Sequence, residues 1–188
     1  MKRTVWASVV AVVALTALVV AGARILLIDD APPADNATGE SAGASSAPDV
    51  PARPDCPDGA IGGVDLPCLG GRKAGQGKEI AVVNVWAWWC APCREELPAV
   101  ADFARAHPEY EVVGVHADGN AANGAALLND LGVDLPSYQD DANRFAGTLG
   151  LPGVVPVTVV LRGGERVAVF AREFTSADEL ADAVAGVL

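Results

Sequence analysis

Asn84-Val85-Trp86-Ala87-Trp88-Trp89-Cys90-Ala91-Pro92-Cys93-Arg94-Glu95-Glu96-Leu97-Pro98 is the stretch on which the fold turns. A β-rich apolar run over residues 81–85 leads into it, and a helical pattern over 94–106 leads out. A strand therefore delivers Cys90 to the first turn of a helix, where unpaired backbone N–H groups and the positive end of the helix dipole favour thiolate over thiol. Cys90 is the candidate attacking sulfur. Cys93, one turn further along the same face, is the candidate resolving thiol.

A Cys-x-x-Cys pair also forms half of many zinc sites, which require four ligands at suitable spacing. Cys56 and Cys68 are too far apart to supply a second such pair, and His107 and His116, the chain's two histidines, are distant in sequence. The pattern thus favours redox chemistry, with no metal or organic cofactor required.

Working outward, the N-terminus carries Lys2 and Arg3 before an apolar run over residues 5–23, which resumes after Arg24 and ends at Asp29 and Asp30. About 19 residues at 1.5 Å rise nearly cross a ~30 Å hydrocarbon core, and the positive-inside bias puts everything downstream outside the cytoplasm. Residues 1–28 read as a signal anchor, a single transmembrane helix at the cell membrane. Ala21-Gly22-Ala23 also offers a cleavage site, which would make the product secreted. Residues 29–55, dominated by Ala, Pro, Ser, Gly and Asp, read as a disordered linker between anchor and domain. The net charge of −11 repels phosphate backbones, so nucleic acid is excluded as a partner.

Residues 56–188 are the folded domain. After the strand and helix above, a strand is expected over 111–117 and helices over 121–131 and 142–149. A hairpin over 157–161 and 166–170 turns at Gly163-Gly164, and a last helix over 176–188 opens on the capping-box pair Ser176 and Glu179. This order predicts an α/β fold with a mixed central sheet flanked by helices. Along the strand, Trp86 and Trp88 share a side, so one of them belongs to the core.

Trp86, Trp89, Cys90, Pro92, Cys93, Arg94, Glu96 and Pro98 together resemble the active-site signature of membrane-anchored thioredoxin-like proteins of the TlpA and ResA kind. The resemblance covers about residues 64–188 and implies a thioredoxin fold. Gly153-Val154-Val155-Pro156-Val157-Thr158 is similar to the family segment that carries a cis-proline beside the redox pair, which makes Pro156 a site residue. The resemblance further implies a substrate groove of Trp89, Ala91, Pro92 and Val155, with Val155 offering backbone hydrogen bonds to an extended substrate.

Two departures leave the direction of electron flow open. Thioredoxins carry a buried Asp six residues before the first Cys, where this chain has Asn84, and ResA-like proteins place Glu inside the Cys-x-x-Cys, where it has Ala91. Glu96 matches the acid of the signature, although an exposed first-turn Glu that complements the helix dipole explains it equally well.

With export and an even cysteine count, Cys56 and Cys68 read as a structural disulfide, with a second redox relay as the sharper alternative. His107 reads as a dipole-complementing residue near a helix end. The expected activity is thiol–disulfide exchange on exported protein thiols and disulfides, served by a membrane electron-transfer partner. Family resemblance points to the haem-attachment cysteines of apocytochrome c, and oxidative folding of exported proteins is the alternative. A copper-binding chaperone and a peroxidase are the other classes this fold allows. Neither finds its own sequence signature here, a third copper ligand for the one and a peroxidatic Cys context for the other.

Overall fold

The computed structural model describes residues 49–188. The expected anchor over 1–28 and most of the linker lie outside the described residues. Among those described, no helix is long and apolar enough to cross a membrane.

The domain is an α/β fold on a five-stranded mixed sheet. In chain order come β1 (Cys56–Asp58), β2 (Lys73–Gln76), β3 (Ile80–Trp86), α1 (Ala91–Ala106), β4 (Glu111–His116), α2 (Ala121–Asp130), β5 (Ser137–Gln139), α3 (Arg144–Leu149), β6 (Val157–Arg162), β7 (Glu165–Phe170) and α4 (Ala177–Ala185). The main sheet runs β5-β4-β3-β6-β7, and β1 and β2 form a separate pair. β3 lies parallel to β4 and antiparallel to β6, so both strands that flank it come from the chain beyond the redox motif.

β3 is buried along nearly its whole length, as befits a central strand covered on both faces. Its alternation divides the core. Val82 and Trp86 join Leu97, Val100 and Phe103 of α1 and Leu180 and Val184 of α4 on one face. Val83 and Val85 join Val113, Val159, Tyr138 and Phe145 on the other. Asn84 shares the parity of Val82 and Trp86, which puts a polar side chain beneath α1.

The predicted elements are present with ends shifted by a few residues. α1 begins at Ala91, three residues before the expected start, because Cys90 caps it and Pro92 fits the first turn. Ser176 accepts the Glu179 N–H at 3.2 Å, and the Glu179 carboxylate turns back to the Thr175 N–H at 3.0 Å, closing the box one residue further out than the usual form. Strands β1, β2 and β5, of 3, 4 and 3 residues, carry no period that a sequence could display.

The linker boundary expected at residue 55 falls too late. Val50 already packs on the core, and the Arg53 N–H donates to Gly70 O at 2.9 Å while its guanidinium reaches Asn129 and the Val133 carbonyl. Gly70 permits this approach: its φ is +68°, and a Cβ there would stand 2.2 Å from Pro51 O.

Candidate active site

Past the end of β3, the chain turns through Ala87-Trp88-Trp89, and the Cys90 N–H closes the turn onto Ala87 O at 3.1 Å. Cys90 caps α1, its sulfur accepting the Cys93 N–H at 3.2 Å. The two sulfurs are bonded, with Cα atoms 5.3 Å apart. Cys90 retains 5% exposure and Cys93 none, so an incoming group reaches Cys90 first. That asymmetry and the helix N-terminus make the two sulfurs chemically inequivalent.

Val155 presents its carbonyl 3.7 Å from the Cys90 sulfur, and the Val155–Pro156 peptide is cis. Pro156 itself is buried, while Ala91 and Pro92 are exposed on the first turn of α1. Beside the sulfur runs a groove of about 260 Å³, whose walls include Trp89, Val154, Val155, Ala146 and Leu151. Trp89 and Val154 are the most exposed large apolar side chains among the described residues, at 58% and 57%. Of the predicted groove residues, Trp89 and Val155 line this groove and Ala91 and Pro92 do not, while Cys90 meets it through the Val155 carbonyl.

Asp118, which the sequence reading did not single out, ties the two indoles of the turn, Trp88 and Trp89, together. Its Oδ1 accepts from Trp88 Nε1 at 3.1 Å and from the Asn120 N–H at 2.8 Å, and its Oδ2 accepts from Trp89 Nε1 at 3.0 Å. Partial burial pulls its pKa upward, but the N–H donors of Asn120, Trp89 and Trp88 outweigh that and hold it below the usual carboxylate value. Of Trp86, Trp88 and Trp89, only Trp86 is fully buried. The strand ends there, so Trp88 sits half-buried in the turn instead of continuing the alternation.

The exposed reading of Glu96 is overturned. Glu96 is 1% exposed, lying beyond the first turn on the face of α1 that meets the sheet. Asn84 Nδ2 donates to Glu96 Oε2 at 3.0 Å and to Thr158 Oγ1 at 3.2 Å, and the Phe174 N–H donates to Glu96 Oε1 at 3.0 Å. Burial drives the Glu96 pKa up from 4.5 to about 7, against the lowering effect of these donors. The signal that locates it is the shared parity of Asn84 with Val82 and Trp86.

His107 ends α1 as its C-cap and pairs with Glu109 at 2.9 Å. His116 is fully buried, its Nδ1 at 2.9 Å from Gln139 Oε1 and its ring 4.7 Å from that of Trp86. Cys56 and Cys68 are joined, with Cα atoms 5.7 Å apart, and the Tyr138 hydroxyl donates to Pro57 O nearby at 2.8 Å. Among the described residues, no three His, Cys, Asp or Glu side chains gather as a metal set.

A mixed sheet that carries a capped Cys-x-x-Cys at a helix N-terminus, faced by a cis-proline loop, defines a thioredoxin-like protein with a redox-capable cysteine pair. Within that class the chain belongs to the AhpC/TSA family, which it matches over residues 59–169. It is 34% identical over 73 residues to the probable thiol:disulfide interchange protein DsbE-2 of Pasteurella multocida, covering 38% of this chain and 37% of that one. It is 31% identical over 90 residues to the thiol:disulfide interchange protein HelX of Rhodobacter capsulatus, covering 47% and 49%. The thiol-disulfide oxidoreductase ResA of Bacillus anthracis matches at 26% over 84 residues, covering 42% of this chain and 46% of that one. The chain thus aligns with less than half the length of each of these curated relatives. Among solved structures, a DsbF homologue from Corynebacterium diphtheriae superposes with a TM-score of 0.54 at 29% identity, covering 65% of this chain and 86% of that one. A thioredoxin-related protein from Neisseria meningitidis serogroup B gives 0.55 at 27%, covering 65% and 98%.

Proposed function

We propose that the protein is an extracytoplasmic thiol:disulfide oxidoreductase, tethered to the membrane by residues 1–28, that exchanges disulfides with exported proteins through Cys90 and Cys93. The observation that carries this reading is the bonded pair at the start of α1, with Cys93 fully buried and Cys90 keeping 5% exposure, its sulfur taking the Cys93 N–H at 3.2 Å. The interchange names of the relatives support it. Haem-attachment cysteines of apocytochrome c are the substrate class that the family resemblance suggests, and a membrane electron carrier would reset the pair.

In the reducing direction the Cys90 thiolate attacks one sulfur of a substrate disulfide, forming a mixed disulfide and expelling the other sulfur as thiolate. Cys93 then loses its proton and attacks Cys90, which closes the internal bond and frees the second substrate thiolate. The proton needs an acceptor inside the domain. Glu96 stands one turn beyond Cys93 on the same face of α1, at the i,i+3 separation that makes side chains neighbours, and a carboxylate that titrates near 7 suits the transfer. Asn84 Oδ1 has no partner among the described residues, so a rotation of its amide would let it accept from protonated Glu96. The oxidising direction runs the same steps in reverse.

Equilibration in glutathione buffers tests the reading and its direction together. A Cys90–Cys93 potential near about −270 mV supports a reductase and one near about −120 mV an oxidase. A pair that does not equilibrate with glutathione at all would remove the proposal.

A further inference from the structure

Trp88 occupies a position that the Trp-x-x-Trp-Cys signature leaves free, and its indole shares one carboxylate with that of Trp89. The sharing is divided. Asp118 Oδ1 is held by two donors of the fixed scaffold, the half-buried Trp88 packed on the core and the Asn120 N–H at the start of α2. Gln139 Nε2 pins the Asp118 backbone carbonyl from the end of β5. Oδ2 is left to Trp89, the most exposed large side chain at the groove beside Cys90.

We propose that Asp118 is a positioning residue for polypeptide substrates, which locks the Trp89 indole as a preformed wall of the groove where an extended segment carrying the reacting cysteine lies. An indole at 58% exposure is otherwise free to change rotamer, and ordering it on binding weakens association. The clamp orders it in advance. A small aromatic disulfide that reaches Cys90 without filling the groove gains little from this.

The inference rests on the exchange activity proposed above. The test measures second-order rate constants of the reduced, purified protein with two probes, insulin as a polypeptide disulfide and 5,5′-dithiobis(2-nitrobenzoate) as a small one. In Asp118→Asn the amide oxygen keeps Trp88 and Asn120, while the amide NH₂ confronts the Trp89 N–H, so the scaffold survives and the lock does not. The insulin rate relative to the small probe is expected to fall roughly three- to tenfold, the worth of one net hydrogen bond. Trp88→Phe, which keeps the packing but removes one anchor donor, should shift the ratio in the same direction by less. The discriminating measurement is a double-mutant cycle: in a Trp89→Ala background, Asp118→Asn should add nothing, because Asp118 acts through Trp89. Multiplying effects, or an equal loss with both probes, would assign Asp118 a merely structural role and overturn the proposal. Wild-type protein inert to both probes would sink the exchange reading itself, whereas active wild type with an unaltered ratio in Asp118→Asn would sink only the clamp.

Discussion

Replacing Glu96 with Gln removes a titration that the fold has displaced, and the effect on stability has a definite sign and pH window. The folded-state pKa, about 7, lies above the unfolded value of 4.5, so the native domain holds the proton more tightly than the unfolded chain. Stability from this group is fully present below pH 4.5 and is lost as pH rises through 7. A displacement of that size corresponds to about 3 kcal/mol. Gln cannot ionise, so the difference in unfolding free energy between Glu96→Gln and wild type should move by about 3 kcal/mol in favour of Gln between pH 4.5 and pH 8. Any constant offset, such as the Phe174 N–H losing an acceptor, leaves that change untouched. Urea unfolding of the oxidised protein measures it free of thiol titration, and taking the difference cancels His116 and the surface carboxylates. A difference that stays flat over the range would show that the fold does not raise the Glu96 pKa, leaving a carboxylate too weakly basic to receive the Cys93 proton.

Cys90→Ser should abolish exchange, and Cys93→Ser should accumulate mixed disulfides on Cys90, visible on non-reducing gels; trapping with the roles reversed would overturn the assignment. Changing Cys56 and Cys68 together to Ser should leave turnover in place while lowering stability by roughly 2 to 4 kcal/mol. Lost activity in a folded protein would instead favour the relay. Gly124→Ala should destabilise by about 1 to 3 kcal/mol in chemical unfolding despite the higher helix propensity of Ala. The reason is that the new Cβ would stand 2.7 Å from the buried His116 ring. Burial lowers the His116 pKa, outweighing Gln139, Asp118 and Asp141, so stability present above 6.5 should fall as pH drops below it. His116→Phe should flatten that limb of the pH–stability curve.

The difference between what the sequence displayed and what it hid follows from the range of the forces involved. Cys90, Cys93 and the helix that starts on them are local: a capping sulfur, a Pro in the first turn and an apolar stripe lie within one stretch of chain, so their geometry is written in their spacing. The alternation of β3 was equally legible, and it already contained the fate of Asn84, since a residue between Val82 and Trp86 must face what they face. Glu96 was misread because its exposure depends on contacts made across the domain. Thr158 of β6 and the Phe174 N–H ahead of α4 close over the pair, and neither adjoins it in sequence. Asp118 escaped for the same reason. It lies just past β4, and only the parallel pairing of β3 with β4 brings it to the turn that carries Trp88 and Trp89. Trp86 opposite His116 at the carboxyl ends of these strands sets the register that makes the two-indole contact possible. Chemistry that needs one helix end can be read from a motif, whereas groups that tune the motif arrive on strands the sheet assembles later. A search for such groups in related chains is best directed at residues just past the strand parallel to the one that ends in the cysteine pair.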